Sequence, residues 1–332
     1  MLTGLVCPRD LSCFVPRLAT FADVLSLSAG ATLQDGTLQI DNFSLADSGG
    51  NLSLLADATI RDAFDTPTFS SGIQEMRTGS SIGQFLTRNL QGEARELSPI
   101  LARVGSTKSS GTLTWKDRSI STNLLTESEQ GTVRIDGTMH DMQEFEAKLT
   151  GESIRLGNLL DLAGEERNTM LSAEMDIAGE LPVKGKQARL SSKGLVRSLL
   201  YRGYEHHNVR FEAMLDGENI AGELFTDEPD GSVHLNLQTT KQQQTRSLIA
   251  KGELRDFSPH GMNLTKKYEG ERFSGKVDVN FLDLNPNRLQ GSLTLSDLQI
   301  ASDQQGTLRL GNIDLHSDQT ERGSHLVVQR SE

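Results

Sequence analysis

His206-His207 is the arrangement in this 332-residue chain that comes nearest to a metal site. On a strand, successive side chains point to opposite faces, so the two rings cannot easily share one ion. The other histidines, His140, His234, His260, His316 and His325, have no ligand partners at zinc or iron spacing, and surface roles are expected for them. Adjacent carboxylates such as Glu165-Glu166 and Asp227-Glu228 are the remaining groups suited to acid–base work. A glycosidase pair needs a cleft with ring-stacking aromatics, and the chain holds one tryptophan, Trp115, and three tyrosines. In an acidic, turn-rich sequence such pairs read as solvated loops. Glycine-rich phosphate loops and His-Glu-x-x-His are absent, and no cysteine stands near a helix start with a histidine in support. No catalytic residue, metal or cofactor is expected.

Charge narrows the partners. With 33 Lys and Arg against 45 Asp and Glu, the formal net charge is −12 and the pI about 5.1. A polyanion is held by clustered cations that displace counterions, whereas here the basic residues are scattered among carboxylates. Nucleic acid is not expected as a partner. An anionic bilayer surface is disfavoured on the same ground, although an apolar groove can still take a lipid tail. Hydrophobic residues make up 36%, aromatics 5%, mean hydropathy is −0.39 and 31 residues are glycine. That supply is short of bulk for a thick interior and suits a thin sheet with one apolar face. Cys7 and Cys13 are close enough to pair in an oxidising compartment and can equally be free thiols. No stretch approaches the roughly 18 to 20 apolar residues of a membrane-spanning helix, and no charged-then-apolar leader is found.

The elements that must position any site read as strands. Val209, Phe211, Ala213 and Leu215 alternate with Arg210, Glu212, Met214 and Asp216, the period of a strand with one apolar face, and Asp216-Gly217 closes a turn. The segment 220–225 ends in the breakers Asp227 to Gly231; Val233, Leu235 and Leu237 then alternate with polar residues. Segment 248–254 follows, then Val277, Val279 and Phe281, and then Leu293 and Leu295. Upstream, Leu25 to Leu54 with Asp35-Gly36 reads as a β-meander. Alternation stops at 65–77, around Thr66-Pro67-Thr68. Ile82, Phe85, Leu86 and Leu90, and then Leu97, Ile100, Leu101 and Val104, fall at helical spacing. Strands resume at Leu113, with Ile120, Val133 and Ile135 separated by polar turns, then the turn signal Asp136-Gly137, then Phe145, Ala147 and Leu149. The Leu-rich turn after Ile154 recurs after Leu254, a repeat spaced by about a hundred residues. Glu165 to Asn168 reads as a linker. The expected organisation is a meander unit over 1–64, a helical insertion or cap over 65–109, a second β unit over 110–193 and a third over 194–332.

A series of strings is specific in its order: Tyr201-Arg202-Gly203-Tyr204 with Asn208-Val209, Gly222-Glu223-Leu224 with Asp227-Glu228-Pro229-Asp230, and Leu254-Arg255-Asp256-Phe257 with Met262-Asn263-Leu264. Phe273 to Val277, Leu289 to Leu293 and Leu295 to Leu298 continue it. Phe14-Val15-Pro16, Ser110 to Leu113 and Ile154 to Leu160 extend it upstream. In these strings the chain resembles the AsmA/TamB family of envelope proteins, in particular the TamB-like translocation and assembly module proteins of the Bacteroidetes kind. The resemblance implies an elongated, curved antiparallel sheet, mainly β with a short helical insertion, whose concave side is a hydrophobic groove. It also implies a periplasmic location, an inner-membrane anchor outside this segment, and an internal piece of a longer chain. The expected role is phospholipid transport between inner and outer membranes, outer-membrane protein assembly beside a barrel-type partner, or both. A secreted adhesive β-solenoid is the alternative.

The residues expected to line the groove, and so to meet phospholipid acyl chains, are Val209, Phe211, Leu224, Val233, Leu235, Leu237, Val277, Val279, Phe281, Leu293 and Leu295. Read one at a time, each is better taken as a core residue; only collectively do they suggest a groove. Burial gives about 0.8 kcal/mol per methylene, so a tail of roughly 16 carbons gains on the order of 12 kcal/mol before ordering costs.

Overall fold

The computed structural model describes residues 1–11, 24–62, 65–79, 98–181, 187–242, 245–284, 290–320 and 323–331. It is mainly β, built as antiparallel sheet with two short α-helices. The chain divides into two units, Met1–Leu171 and Ser172–Glu332.

The first unit runs β1 (Leu2–Val6), β2 (Leu25–Gln34), β3 (Thr37–Asp47), β4 (Leu52–Arg61), β5 (Thr68–Thr78), β6 (Thr107–Lys116), β7 (Ser119–Ser128), β8 (Gly131–His140) and β9 (Glu144–Ile154). Helix α1 (Ser98–Val104) precedes β6, and α2 (Leu156–Leu159) with a 3-10 turn (Gly164–Asn168) follows β9. Each strand pairs antiparallel with its sequence neighbours. Asp35-Gly36 makes the expected two-residue hairpin turn, with φ of 48° and 76°, the positive pair that matches the twist of the strands.

Three stretches differ from the sequence expectation. Within the expected 65–109 insertion, 68–78 is strand β5, whose alternation is masked by an extra residue where Leu55 faces Glu75 but Ala56 faces Ile73. Asp136-Gly137 lies inside β8 instead of a turn: Gly137 faces Ala147 so closely that a Cβ would sit 2.8 Å from the alanine methyl. Residues 2–6, left outside the strands in the sequence reading, form β1. Of the helical spacing, 98–104 is helix α1, while 80–97 lies outside the described residues. Cys13 lies outside them too; Cys7 is half-buried.

The second unit runs β10 (Met170–Glu180, whose first two residues belong to the first unit), β11 (Arg189–Tyr201), β12 (Tyr204–Asp216), β13 (Asn219–Glu228), β14 (Gly231–Gln242), β15 (Thr245–Phe257), β16 (Glu271–Asp283), β17 (Gln290–Ser302), β18 (Gly306–Thr320) and β19 (Gly323–Ser331). From β11 onward it is the same neighbour-to-neighbour antiparallel meander.

Neither unit has a thick core. Among the described residues only Pro8, Leu25, Ala29, Ala56, Ala250 and Met262 are buried apolar side chains. The accessible surface is 21431 Å². A compact monomer of this mass exposes about 13,000 Å², and two compact bodies of half the mass about 16,000 Å² together. Among the described residues no helix is long and apolar enough to cross a membrane.

Candidate functional site

Residues opposite one another in an antiparallel ladder point to the same face, so the registers assign the faces. In the second unit one row reads Gly194, Phe211, Leu224, Leu235, Gly252, Val277, Leu295 and Ile313. The next reads Ser192, Ala213, Gly222, Leu237, Ala250, Val279, Leu293 and Leu315. Val209 stands beside Val196, Val233 beside Leu254, and Phe281 beside Leu248. All the residues named as groove-lining therefore share one face, and all are half-buried. Sequence reasoning missed Leu190, Val196, Ile313 and Leu315 on this face; the alternation of Leu308, Leu310, Ile313 and Leu315 was the available signal for the last two.

Glycine shapes this surface at one place in particular. A Cβ on Gly194 would fall 2.4 Å from the Phe211 ring, so the ring lies over the glycine and covers bare backbone. The other face is charged. Lys193 meets Glu212 at 2.6 Å, His234 meets Glu223 at 2.5 Å and Lys251 meets Asp278 at 3.2 Å. These exposed pairs add little stability but keep that face in water. One face wets and the other does not.

At the end of the apolar face near the β13–β14 turn stands a polar cluster. Glu228 occupies a position of apolar parity, two residues beyond Thr226 and four beyond Leu224, and its side chain is 2% exposed. His206 Nδ1 lies 3.1 Å from its carboxylate, and the Thr226 hydroxyl donates to it at 3.0 Å. The Tyr204 phenol faces Glu228 and Asp230; burial first, and then these carboxylates, push its pKa well above the ordinary tyrosine range. Arg272 donates to Asp230 at 3.3 Å and to the Asp256 carbonyl at 3.1 Å. The turn after β15 closes over this end, with Ser258 N–H donating to the Asp230 carbonyl at 2.8 Å and Met262 buried beneath. The Asn263 amide donates to the Arg202 carbonyl at 3.0 Å and the Arg202 guanidinium to the Leu264 carbonyl at 3.2 Å, tying the β11–β12 turn to the turn after β15. The buried Glu228 carboxylate is thus met by donors from within the cluster, which closes this end of the apolar face with polar groups. His207 is more than half exposed while His206 is nearly covered, so the two rings do go separate ways.

The first unit carries a comparable face. Its outermost row takes one residue from each of β2 to β9: Leu33, Leu38, Ile60, Phe69, Trp115, Ile120, Met139 and Phe145. Every position in that row is large and apolar. Inner rows mix Ala56, Ile73, Leu124, Ile135 and Leu149 with glycine and hydroxyl residues. The corresponding row of the second unit, from Leu190 through Phe281 to Leu326, is interrupted by Thr239, Gly291 and Ser317.

No three His, Cys, Asp or Glu side chains among the described residues are grouped to hold a metal ion. The sequence does contain one Gly-x-Ser-x-Gly string, Gly79-Ser80-Ser81-Ile82-Gly83, whose residues 80–83 lie outside the described residues. Such a string positions a nucleophile at a strand-to-helix elbow of an α/β sheet; β5, which leads into it, belongs to an antiparallel meander. In comparisons with family models, curated proteins and solved structures, nothing matches this chain.

Proposed function

We propose that the chain is a lipid-handling protein of the cell envelope that shelters phospholipid acyl chains on its apolar sheet faces as they move between membranes. The observation that supports this most is the pairing of continuous apolar rows with so small a buried core. A sheet that buried these rows under a second layer would leave Phe211, Leu235 and Val279 inaccessible; they are half-buried. Acyl tails lying on the face would complete that burial while headgroups stay in water, and no covalent step is needed. The resemblance to TamB-like proteins adds the periplasmic setting, a membrane anchor outside this segment and a barrel-type outer-membrane partner. Neighbour-to-neighbour antiparallel pairing speaks against the adhesive solenoid, whose rungs stack on one another.

The test is native mass spectrometry with lipid extraction on protein expressed in a bacterial periplasm, comparing wild type with Phe211→Glu and Val279→Glu. Co-purifying phospholipid is expected, lost from both variants with strand content by circular dichroism unchanged. A folded wild-type protein that carries no lipid would refute the acyl-chain reading.

A further inference from the structure

The rim of the first unit differs from its interior rows. In an antiparallel meander alternate connections return to the same end, so the β2–β3, β4–β5, β6–β7 and β8–β9 connections lie along one edge of the sheet. There Leu33 is 57% exposed, Trp115 43% and Met142 63%. Leu33 and Trp115 belong to the unbroken apolar row, and Met142 sits within the β8–β9 turn at φ 58°. The opposite end is polar and capped. It holds the buried Asp47 carboxylate, which accepts from Leu52 N–H at 2.7 Å, the Thr78–Thr107 hydroxyl pair at 2.7 Å, and helix α2.

We propose that the turn end of the first unit docks on an uncharged, zwitterionic phospholipid surface, with Leu33, Trp115 and Met142 as its anchors. Leu33 and Trp115 stand at the ends of β2 and β6 and Met142 in the β8–β9 turn, separate from one another along the rim, which suits shallow insertion at the headgroup boundary, where tryptophan concentrates. Together they expose on the order of 300 Å², well short of the ~800 Å² per side of a specific protein interface. Charge selects the kind of surface. In these turns Asp35, Asp117 and Asp141 stand against Lys116 and Arg118, and Asp141 already holds Arg118 at 2.8 Å. The β4–β5 connection at the same edge adds Arg61 against Asp62 and Asp65, so among the described residues no free cationic patch faces an anionic membrane here. The inference shares with the acyl-chain reading only the class of ligand.

Trp115 is the chain's single tryptophan, so it reports on its own insertion. The full chain is mixed with phosphatidylcholine vesicles, with and without phosphatidylglycerol. Trp115 emission should shift to the blue and be quenched by acyl-brominated lipid. The double variant Leu33→Asp/Met142→Asp, which retains the reporter, should bind vesicles about tenfold more weakly or worse in co-flotation. Phosphatidylglycerol should not strengthen binding, and salt should change it less than about twofold. Unchanged emission, or a double variant that floats as well as wild type, overturns the proposal. So does a concentration-dependent dimer in analytical ultracentrifugation that the double variant abolishes, which would assign the turns to a second copy. Phe211→Glu and Val279→Glu lie in the other unit and should leave flotation intact, so a failed groove and a failed rim give different results.

Discussion

Residues 119–162 of the first unit and 219–264 of the second share a backbone and diverge in side chain. Ile120, Leu124, Thr126, Gly131 and Val133 recur as Ile220, Leu224, Thr226, Gly231 and Val233. Gly131 and Gly231 both adopt φ 124°, and each is met by the end of the next strand, where Ser153 (φ 52°) and Asp256 (φ 47°) are left-handed. Past each strand one N–H returns to the carbonyl before the glycine, from Arg155 to Gln130 and from Ser258 to Asp230, both at 2.8 Å. Around this common bend the first unit places neutral groups, Ser128, Gln130 and Asn158, with Asn158 donating to Gln130 at 3.3 Å. The second places Glu228 and Asp230 at the matching positions and surrounds them with His206, Tyr204 and Arg272. The ladder and the glycine fix the bend. What stands at the end of the apolar face is then free to be an amide contact or a buried carboxylate network.

If the backbone device is common, breaking it should cost both units alike, and this is the largest effect expected. A Cβ on Gly231 would lie 2.4 Å from the Phe257 Cα, and one on Gly131 would lie 2.7 Å from the Ser153 carbonyl oxygen. Backbone on both sides leaves neither room to give, and φ 124° is strained for any residue with a Cβ. Gly131→Ala and Gly231→Ala are each expected to destabilise by about 3 kcal/mol or more, read as a fall in urea midpoint. A difference between them greater than about 1.5 kcal/mol would show that the bends are not equivalent.

The side-chain difference should appear in pH dependence. Tyr204 is held neutral by burial and by Glu228 and Asp230, so its folded pKa is raised above the unfolded value near 10. A group raised in the folded state contributes stability that is present below the unfolded pKa and is lost as pH rises above it. Stability should therefore decline above about pH 10, and Tyr204→Phe should remove part of that decline while costing about 1 to 2 kcal/mol at neutral pH. Chemical denaturation of both proteins at pH 8 and pH 10.5 checks this; parallel losses would place the tyrosine outside the network.

Much of this was legible in the sequence, and the limits were physical. Alternation and Gly-containing turns placed β12 to β17, and parity put the named groove residues on one face, because a half-buried strand must keep its period. Asp136-Gly137 misled because a glycine facing Ala147 serves close approach, not chain reversal. Strand β5 was hidden by one extra residue. The Glu228 cluster left one trace, a carboxylate at apolar parity. Its partner His206 could not be read, since it depends on Asn208 turning left-handed (φ 55°) within β12 and on registers across strands. The unbroken rim row needs a chain of pairings from β2 to β9, which no local pattern encodes.

The finest distinction concerns a threonine that both modules keep. Thr226 donates to the Glu228 carboxylate, whereas Thr126 pairs with the Ser109 hydroxyl at 2.9 Å, and Ser109 is 3% exposed. Removing a donor from a buried charged acceptor costs more than removing one from a neutral hydroxyl. Thr226→Val is expected to cost about 1.5 to 3 kcal/mol and Thr126→Val about 1 kcal/mol. The neutral pair has a further property that the charged network lacks. When both hydroxyls go, no polar atom is left stranded, so Ser109→Ala combined with Thr126→Val should be less destabilised than the sum of the single changes, approaching neutrality. In the second unit no equivalent rescue follows, because Glu228 keeps its charge whichever donor is deleted. A double-mutant cycle with no coupling between Ser109 and Thr126 would mean that this hydroxyl pair is incidental, and that the neutral end is held by backbone alone.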